Sequence, residues 1–222
     1  MRAGLPERSS VWPVRLVGDP HWIGTTRRRK DWSWGHPERV LLAMYGDYLR
    51  MEYLYRLVRM CHPRVAVETG VHFGKTSTAI LSALERNGSG QLISIDLPRT
   101  AASLNADGRL AHAHVRSADE TGHLIPTALR DRWTLRLGDA RVLLPAALAG
   151  GVGFFFHDSD HSHDHQQFEY ESAWTALESG GVLASDDTDW TTAWKEFLDR
   201  HQGHWQALPN GPLGVRAVRK IS

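Results

Sequence analysis

The chain has 222 residues, which is the length of one domain or slightly more. Hydrophobic residues make up 41% and charged residues 23%, a balance that excludes a wholly disordered chain. The net charge of +1 gives no bulk attraction for nucleic acid, and the single cysteine, Cys61, excludes an intramolecular disulfide. No segment reaches the ~18 apolar residues that span a bilayer, and the N-terminus lacks the apolar core of a signal peptide. We therefore expect a soluble, cytoplasmic protein with no membrane partner.

The predicted elements alternate between helix and strand. Residues 1–35 have no clean hydrophobic period and are predicted to form an irregular N-terminal arm, with the main domain over 36–222. A helix begins at Pro37 and is stopped by Pro63. Short apolar strands are then predicted at 65–67, 92–95, 133–137, 152–156 and 182–184, separated by helices at 75–87, 141–148, 164–179 and 191–200. Two closing strands, near Trp205 and Val215, flank a turn at 209–212. This pattern predicts an α/β fold, with a mostly parallel sheet, helices on both faces and a C-terminal antiparallel hairpin.

Carboxylates follow all five of the alternating strands. In such sheets ligands bind at the carboxyl ends of the strands, so the residues just past each strand are the first candidates for a site. A single aspartate there is often only a turn or cap residue. Five in succession indicate a functional rim: Glu68 with Gly70, then Asp96, Asp139, Asp158, and the pair Asp186 and Asp187.

A glycine-rich loop, residues 68–77, connects the first strand to the second helix. Its glycines, Gly70 and Gly74, permit a tight turn and let a ligand approach the backbone at a helix N-terminus. A phosphate-binding P-loop needs four residues between glycine and Gly-Lys, whereas this loop has three. The dinucleotide fingerprint does not fit either, and Asp96, which stands where an acidic residue would bind a ribose, is the one feature in its favour.

The loop resembles the cofactor loop of class I S-adenosylmethionine-dependent methyltransferases, in which an acidic residue, a spacer and a glycine precede a second glycine that enters the helix. The sequence is similar in particular to the metal-dependent small-molecule O-methyltransferases of the catechol and antibiotic-sugar types, over roughly residues 60–200. The resemblance implies a Rossmann-like fold and a set of S-adenosylmethionine-binding residues. Glu68, Gly70 and Gly74 border the methionine half, Asp96 binds the ribose, and Asp139 lies by the adenine amine.

A histidine- and aspartate-rich segment, residues 157–165, permits a second interpretation. Binuclear metallohydrolases carry the pattern H-x-H-x-D-H, and here His161, His163 and His165 come one residue short of it. A metallohydrolase therefore stays an alternative. A simpler interpretation is that His163 and His165 open a helix at the surface.

The resemblance assigns the same segment differently. It implies that Asp158, Asp186 and Asp187 bind a divalent metal, and oxygen ligands of this kind suit Mg²⁺ or another hard cation. His161, three residues after Asp158, stands where these enzymes place a general base, and an ordinary histidine pKa near 6.5 suits that role. Asp160 departs from the family pattern; it could orient His161 or bind the metal, but we expect it to face solvent.

The expected function is transfer of a methyl group to a hydroxyl of a small molecule, such as a sugar, polyol or catechol. Secondary metabolism is one pathway class in which such an acceptor occurs. Trp190, just past the metal pair, is a candidate wall for the acceptor. The basic run at 27–30 leaves an RNA methyltransferase as a further alternative, although the near-neutral charge disfavours nucleic acid as a partner. The tryptophan-rich arm makes a homo-oligomer a fair expectation.

Overall fold

The computed structural model describes residues 37–97 and 118–221. Within these ranges five α-helices alternate with seven β-strands. The helices are α1 (Pro37–Cys61), α2 (Lys75–Asn87), α3 (Ala140–Leu148), α4 (His163–Ala176) and α5 (Ala193–Arg200). The strands are β1 (Val65–Thr69), β2 (Gln91–Asp96), β3 (Trp133–Leu137), β4 (Val152–His157), β5 (Leu177–Ser185), β6 (Trp205–Ala207) and β7 (Arg216–Lys220). Two short 3-10 turns, Ala118–Glu120 and Thr127–Arg132, precede β3.

The strands form one mixed sheet in the order β3-β2-β1-β4-β5-β7-β6. Strands β1 to β5 are parallel, and β7 runs antiparallel between β5 and β6. The chain moves outward from β1 to β3 and then returns to place β4 on the other side of β1, so the strand order reverses between β1 and β4. The crevice outside the carboxyl ends of the strands at such a reversal is where open α/β sheets bind ligands. The predicted fold, a Rossmann-like parallel sheet ending in an antiparallel hairpin, is confirmed.

Strand β4 shows why helices cover both faces of the sheet. All six of its residues are buried, and successive side chains of a strand point to opposite faces. Phe154 and Phe156 accordingly pack with the buried side chains of α1 and α2, whereas Phe155 packs with those of α3, α4 and α5. Burial of each phenylalanine stabilises the fold by about 1.5–3 kcal/mol. This packing holds the carboxyl end of β4, which carries His157 and Asp158, in a fixed position.

The junction of α4 and β5 differs from the prediction. The helix was expected to run to Ser179, but it ends at Ala176, and β5 begins at Leu177 instead of Val182. Leu177 has an extended backbone, and it pairs with Val152 of β4 across a register shift. Burial of Leu177 against the sheet, at 3% exposure, outweighs the weak helical preference of the polar residues that follow.

Several sequence features lie outside the described residues. The predicted arm over 1–35, its basic run at 27–30 and most of the connection after β2 are among them. Among the helices that are described, none has both the length and the apolar character needed to cross a membrane.

Candidate active site

The loops after the strands continue the hydrogen-bonding pattern of the sheet past the strand ends. The N–H of Asp158 donates to the carbonyl of Thr69 at 2.9 Å, and the N–H of Asp186 donates to the carbonyl of His157 at the same distance. On the other side, the N–H of Gly138 donates to the carbonyl of Asp96 at 2.8 Å. These bonds fix the start of each loop against its neighbour, so Asp96, Asp139, Asp158 and the pair Asp186 and Asp187 lie along one rim. Glu68 was predicted to follow the first strand, but β1 extends to Thr69, so Glu68 lies inside the strand and is fully buried.

The glycine loop contains three residues with positive φ, Gly70 at +82°, His72 at +52° and Gly74 at +90°. Gly74 caps α2, and its N–H donates to the carbonyl of Val71 at 2.8 Å, which closes the turn. The N–H of His72 donates to Asp96 Oδ2 at 3.1 Å. The structure therefore brings together the predicted cofactor residues Gly70, Gly74 and Asp96.

Glu68 lies beneath this loop, with a fully buried side chain. Its carboxylate accepts hydrogen bonds from Thr76 Oγ1 (2.7 Å), Ser77 Oγ (2.6 Å) and Ser94 Oγ (2.8 Å). Burial raises the pKa of Glu68 to about 7, although the three hydroxyl groups oppose that rise. Glu68 thus fastens β1 to β2 and α2 from the inside, and its predicted contact with the cofactor stays a prediction.

Asp139 is exposed and stands at the N-cap of α3, where its carboxylate accepts a hydrogen bond from the N–H of Arg141 at 2.8 Å. Such a cap satisfies one of the unpaired N–H groups of the first helical turn. Its neighbour Gly138 is bonded to Asp96, so Asp139 lies close to the end of β2. Its predicted place beside an adenine stays a prediction.

The second half of the rim gathers the predicted metal-binding residues. Asp158, His161 and Asp186 each offer one ligand atom, and these atoms lie within 4.8 Å of one another. Asp187 is adjacent, with Oδ2 at 3.9 Å from His161 Nε2. The side chain of Asp186 is 4% exposed, and its Oδ1 atom and His161 Nε2 are buried without a hydrogen-bond partner among the described residues. A buried polar atom without a partner is costly, so both atoms require a ligand or a water molecule.

The electrostatics of this cluster favour an added positive charge. Burial raises the pKa of Asp158 and of Asp186, and the neighbouring carboxylates raise both further. Burial also lowers the pKa of His161 to about 4, with a smaller contribution from His157. The imidazole of His161 is therefore neutral at pH 7, with a lone pair available to a cation or to a proton.

Arg50 of α1 also belongs to this cluster, although it was not predicted from the sequence. Its Nη1 atom lies 3.0 Å from Asp186 Oδ2 and 3.7 Å from Asp158 Oδ2, with the Arg50 side chain 16% exposed. A signal for this contact was present in the sequence, because Arg50 precedes Leu54, Leu57 and Val58 at helical spacing and those three residues are buried. A charge on the apolar stripe of a helix indicates a buried partner.

Glu169 of α4 was missed as well. Its fully buried carboxylate accepts hydrogen bonds from Thr69 Oγ1 (2.5 Å), Ser159 Oγ (2.8 Å), His157 Nδ1 (2.6 Å) and His165 Nε2 (2.8 Å). Burial alone would raise the pKa of Glu169, but the histidine His157 lowers it overall. Glu169 thus ties the ends of β1 and β4 to α4, directly behind the acidic cluster.

The remaining histidines of the 157–165 segment do not join the cluster. His163 opens α4 with its ring half-exposed, bonded to Asp164 and Glu196. His165 is bonded to Glu169, so its predicted place at the surface is only partly right: its side chain is 12% exposed. The three histidines of the metallohydrolase pattern are therefore not gathered around one point. Asp160 accepts a hydrogen bond from the N–H of Ser162 at 2.7 Å, which fits a local turn.

Trp190 and Trp194 have different surroundings. Trp190 follows the acidic pair, is 59% exposed, and its ring centroid lies 6.2 Å from that of His161. Trp194 is buried at 7% exposure and packs edge-on against Tyr170. Trp194 therefore belongs to the core, and Trp190 is the aromatic residue that borders the site.

Three solved structures that share the fold at low sequence identity are described as O-methyltransferases. The O-methyltransferase NovP matches with a TM-score of 0.62 at 14% identity, over 78% of this chain and 80% of that one. The calicheamicin methyltransferase CalS11 matches with a TM-score of 0.55 at 20% identity, over 79% of each chain. An O-methyltransferase from Bacillus cereus, solved with SAH, matches with a TM-score of 0.52 at 18% identity, over 87% of this chain and 84% of that one. No curated protein matches the sequence.

The family model described as a methyltransferase domain matches residues 67–188, which is more than half of the chain. The match begins inside β1 and ends just after Asp187, so it covers both the glycine loop and the acidic cluster. The chain belongs to the methyltransferase domain family, and the prediction of a class I S-adenosylmethionine-dependent methyltransferase is confirmed.

Proposed function

We propose that this enzyme is a divalent-metal-assisted O-methyltransferase that uses S-adenosylmethionine to methylate a hydroxyl group of a small molecule. The observation that carries the proposal is the convergence of Asp158, His161 and Asp186 within 4.8 Å, beside the glycine loop. A cofactor loop and a set of cation ligands on one rim would place the methyl donor close to an acceptor hydroxyl whose pKa a bound cation would lower.

The cofactor half of the proposal rests on Gly70, Gly74, Asp96 and Asp139. When bound, S-adenosylmethionine supplies a methyl group on a positively charged sulfur. Gly70 and Gly74 adopt positive φ and pack closely against Asp158 and Ile125, so they shape the turn beside which the cofactor would bind. A carboxylate accepts several hydrogen bonds, so Asp96 can take ribose hydroxyls while it keeps the bond from His72. Asp139 would accept from the adenine amine.

The donor set of the acidic cluster fits a divalent cation. Asp158, Asp186 and Asp187 provide carboxylate oxygens, which Mg²⁺ prefers, and a nearby imidazole is also compatible with Mn²⁺. The unpartnered Oδ1 atom of buried Asp186 supports this fit directly, because a cation would satisfy it. When bound, such a cation acts as a Lewis acid that lowers the pKa of the acceptor hydroxyl.

His161 is the proposed general base. Its Nε2 atom faces the same space as the carboxylates, 3.8 Å from Asp158 Oδ1. The ring is neutral at pH 7, so Nε2 can accept the hydroxyl proton, but burial lowers its pKa to about 4 and makes it a weaker base than the ordinary histidine that the sequence predicted. We assign it the proton instead of the cation because three carboxylates already supply oxygen ligands. The chain then contributes mainly by positioning, an effect on the order of several kcal/mol.

The acceptor is proposed to be a sugar, a polyol or a catechol-like compound. Trp190 presents a largely exposed ring beside His161, and such a surface suits the flat face of an aromatic ring or of a sugar. CalS11, which has the same fold, is described as a TDP-rhamnose 3'-O-methyltransferase. That supports a sugar hydroxyl here. A cytoplasmic location, a homo-oligomer and the absence of nucleic acid partners remain parts of the proposal.

The test is transfer of labelled methyl from S-adenosylmethionine to a panel of nucleotide sugars, polyols, catechols and total RNA. Each reaction is run with Mg²⁺ and with an excess of chelator. The proposal predicts product from at least one hydroxyl-bearing small molecule, abolished by chelator and restored by added Mg²⁺. Transfer to RNA alone, or full transfer in chelator, would contradict it.

A further inference from the structure

Arg50 faces one oxygen of Asp158 and one oxygen of Asp186, and the second oxygen of each carboxylate points elsewhere. Its Nη1 atom approaches the Oδ2 atom of Asp186 at 3.0 Å and the Oδ2 atom of Asp158 at 3.7 Å. The Oδ1 atom of Asp158 lies instead on the side of His161, 3.8 Å from Nε2. The Oδ1 atom of Asp186 is buried and has no hydrogen-bond partner within the described part of the chain. Arg50 thus contacts one oxygen of Asp186 at hydrogen-bond distance and attracts one oxygen of Asp158 from farther away, and the other oxygen of each carboxylate is left for the cluster.

We propose that Arg50 is a positioning residue for the cation site: its guanidinium group fixes Asp158 and Asp186 so that their remaining oxygens converge on a divalent cation. This inference rests on the proposed function, since it names what orients the ligands of that site. Residues that orient metal ligands from behind are a general requirement of precise metal sites, because a carboxylate can otherwise rotate out of the binding geometry.

The formal charges of the cluster agree with this role. When all three are ionised, Asp158, Asp186 and Asp187 contribute three negative charges, and Arg50 contributes one positive charge. The remainder of two negative charges matches one divalent cation. Without Arg50 the cluster would hold three carboxylates in a largely buried space, where like charges repel strongly.

The opposite role, in which Arg50 replaces the cation, fits the contacts less well. An arginine that substitutes for a metal between two carboxylates would form paired, bidentate hydrogen bonds with them. Arg50 makes one contact at hydrogen-bond distance, and its second contact, at 3.7 Å, is longer. Its Nε atom is buried and lacks a hydrogen-bond partner among the residues that the structure describes. The guanidinium therefore flanks the site and does not fill it.

The experiment measures Mn²⁺ affinity by titration calorimetry for the full chain and for Arg50→Gln and Arg50→Lys. The matched control is Arg56→Gln on the same helix, where Arg56 is 54% exposed and pairs with Glu52. We expect Arg50→Gln to weaken Mn²⁺ binding by about 10–100-fold and Arg50→Lys to weaken it less. S-adenosylmethionine affinity should be unchanged in both variants, and Arg56→Gln should match the wild type.

The outcomes separate this inference from the proposed function. If the wild type binds no Mn²⁺, the metal-assisted function is wrong and the role of Arg50 falls with it. If the wild type binds Mn²⁺ and Arg50→Gln binds it equally or more tightly, only the positioning role is overturned, and tighter binding means that Arg50 competes with the cation. If Arg50→Gln fails to fold, Arg50→Lys decides: it retains the charge but not the planar fork, so unchanged affinity overturns the role.

Discussion

Gly70 lies against the backbone carbonyl of Asp158, so closely that a Cβ atom on Gly70 would stand 1.9 Å from that oxygen. Gly70 belongs to the proposed cofactor loop, and Asp158 belongs to the proposed cation site. The two halves of the site are therefore joined by direct backbone packing at the point where the strand order reverses. A change at this contact should therefore affect the binding of both the cofactor and the cation.

Gly70→Ala should destabilise the protein and weaken the binding of both S-adenosylmethionine and the cation. Gly88 provides a matched control, because it has a similar backbone conformation, φ +73°, but a Cβ there would meet no described atom within 4 Å. Gly88→Ala should cost only the left-handed backbone penalty, about 1–2 kcal/mol. Gly70→Ala should cost more in urea unfolding and should also lower the affinities for S-adenosylmethionine and Mn²⁺. Equal losses of stability in the two variants, with ligand affinities unchanged, would contradict the close packing.

Glu68 should make stability depend on pH. Its pKa rises from an ordinary 4.5 to about 7 in the folded protein, so the folded state keeps a proton that the unfolded state releases in that range. The stabilisation by this proton is fully present below pH 4.5 and is lost as the pH rises to about 7, at about 1.4 kcal/mol per pH unit. Glu68→Gln does not titrate and should lack this slope. Unfolding free energies from pH 4.5 to 8 check this, and parallel curves for the two proteins would count against it.

Glu169→Ala should be strongly destabilising. It removes the shared acceptor of Thr69, His157, Ser159 and His165 from a fully buried position. Leaving such groups unsatisfied costs about 3–5 kcal/mol, which lowers the melting temperature on the order of 10 °C. The control is Glu171→Ala on the same helix, whose half-exposed carboxylate pairs with Arg200 and His201 and should be worth less than about 1 kcal/mol. Similar melting temperatures for the two variants would mean that the buried contacts carry little energy.

His161→Ala should abolish most of the turnover without weakening the binding of S-adenosylmethionine. Removal of a general base costs about 10²–10⁴-fold in rate. The affinity for S-adenosylmethionine should be unaltered, and Mn²⁺ affinity should remain close to that of the wild type. His163→Ala, which alters a half-exposed ring two residues further on at the start of α4, should retain the full rate. A large drop in Mn²⁺ affinity for His161→Ala would make His161 a ligand, and an unchanged rate would remove it from the mechanism.

Much of the fold followed from the sequence because the strands are short, apolar and separated by clear turn residues. Helix α2 and strand β3 have the predicted bounds. Gly88 ends α2 and Gly138 follows β3, and both adopt positive φ, which glycine permits. The start of β5 was wrong because pairing of Leu177 with Val152 joins segments that are distant in the chain. Local pattern carries no information about that pairing.

The sequence predicted the part of the site that is formed by residues at the ends of the strands. Asp158, Asp186 and His161 lie together because the carboxyl ends of parallel strands meet at one rim. Arg50 and Glu169 were missed because their partners come from other elements, and only the packing of α1 and α4 on the sheet brings them near. Both occupy positions on the apolar stripe of a helix, so a charged residue at such a position is the signal that could have found them.

Thermal unfolding of the full chain tests whether one rim binds both S-adenosylmethionine and a divalent cation. The protein is heated with S-adenosylmethionine, with Mg²⁺, with both and with chelator alone. A ligand at a hundredfold excess over its Kd stabilises by about 2.7 kcal/mol. For a chain of this size that is a rise on the order of 5–10 °C. We expect a separate rise in melting temperature for each ligand, and we expect Asp186→Asn to lose the rise with Mg²⁺. A rise with Mg²⁺ and none with S-adenosylmethionine would contradict the cofactor site, and the reverse would contradict the cation site.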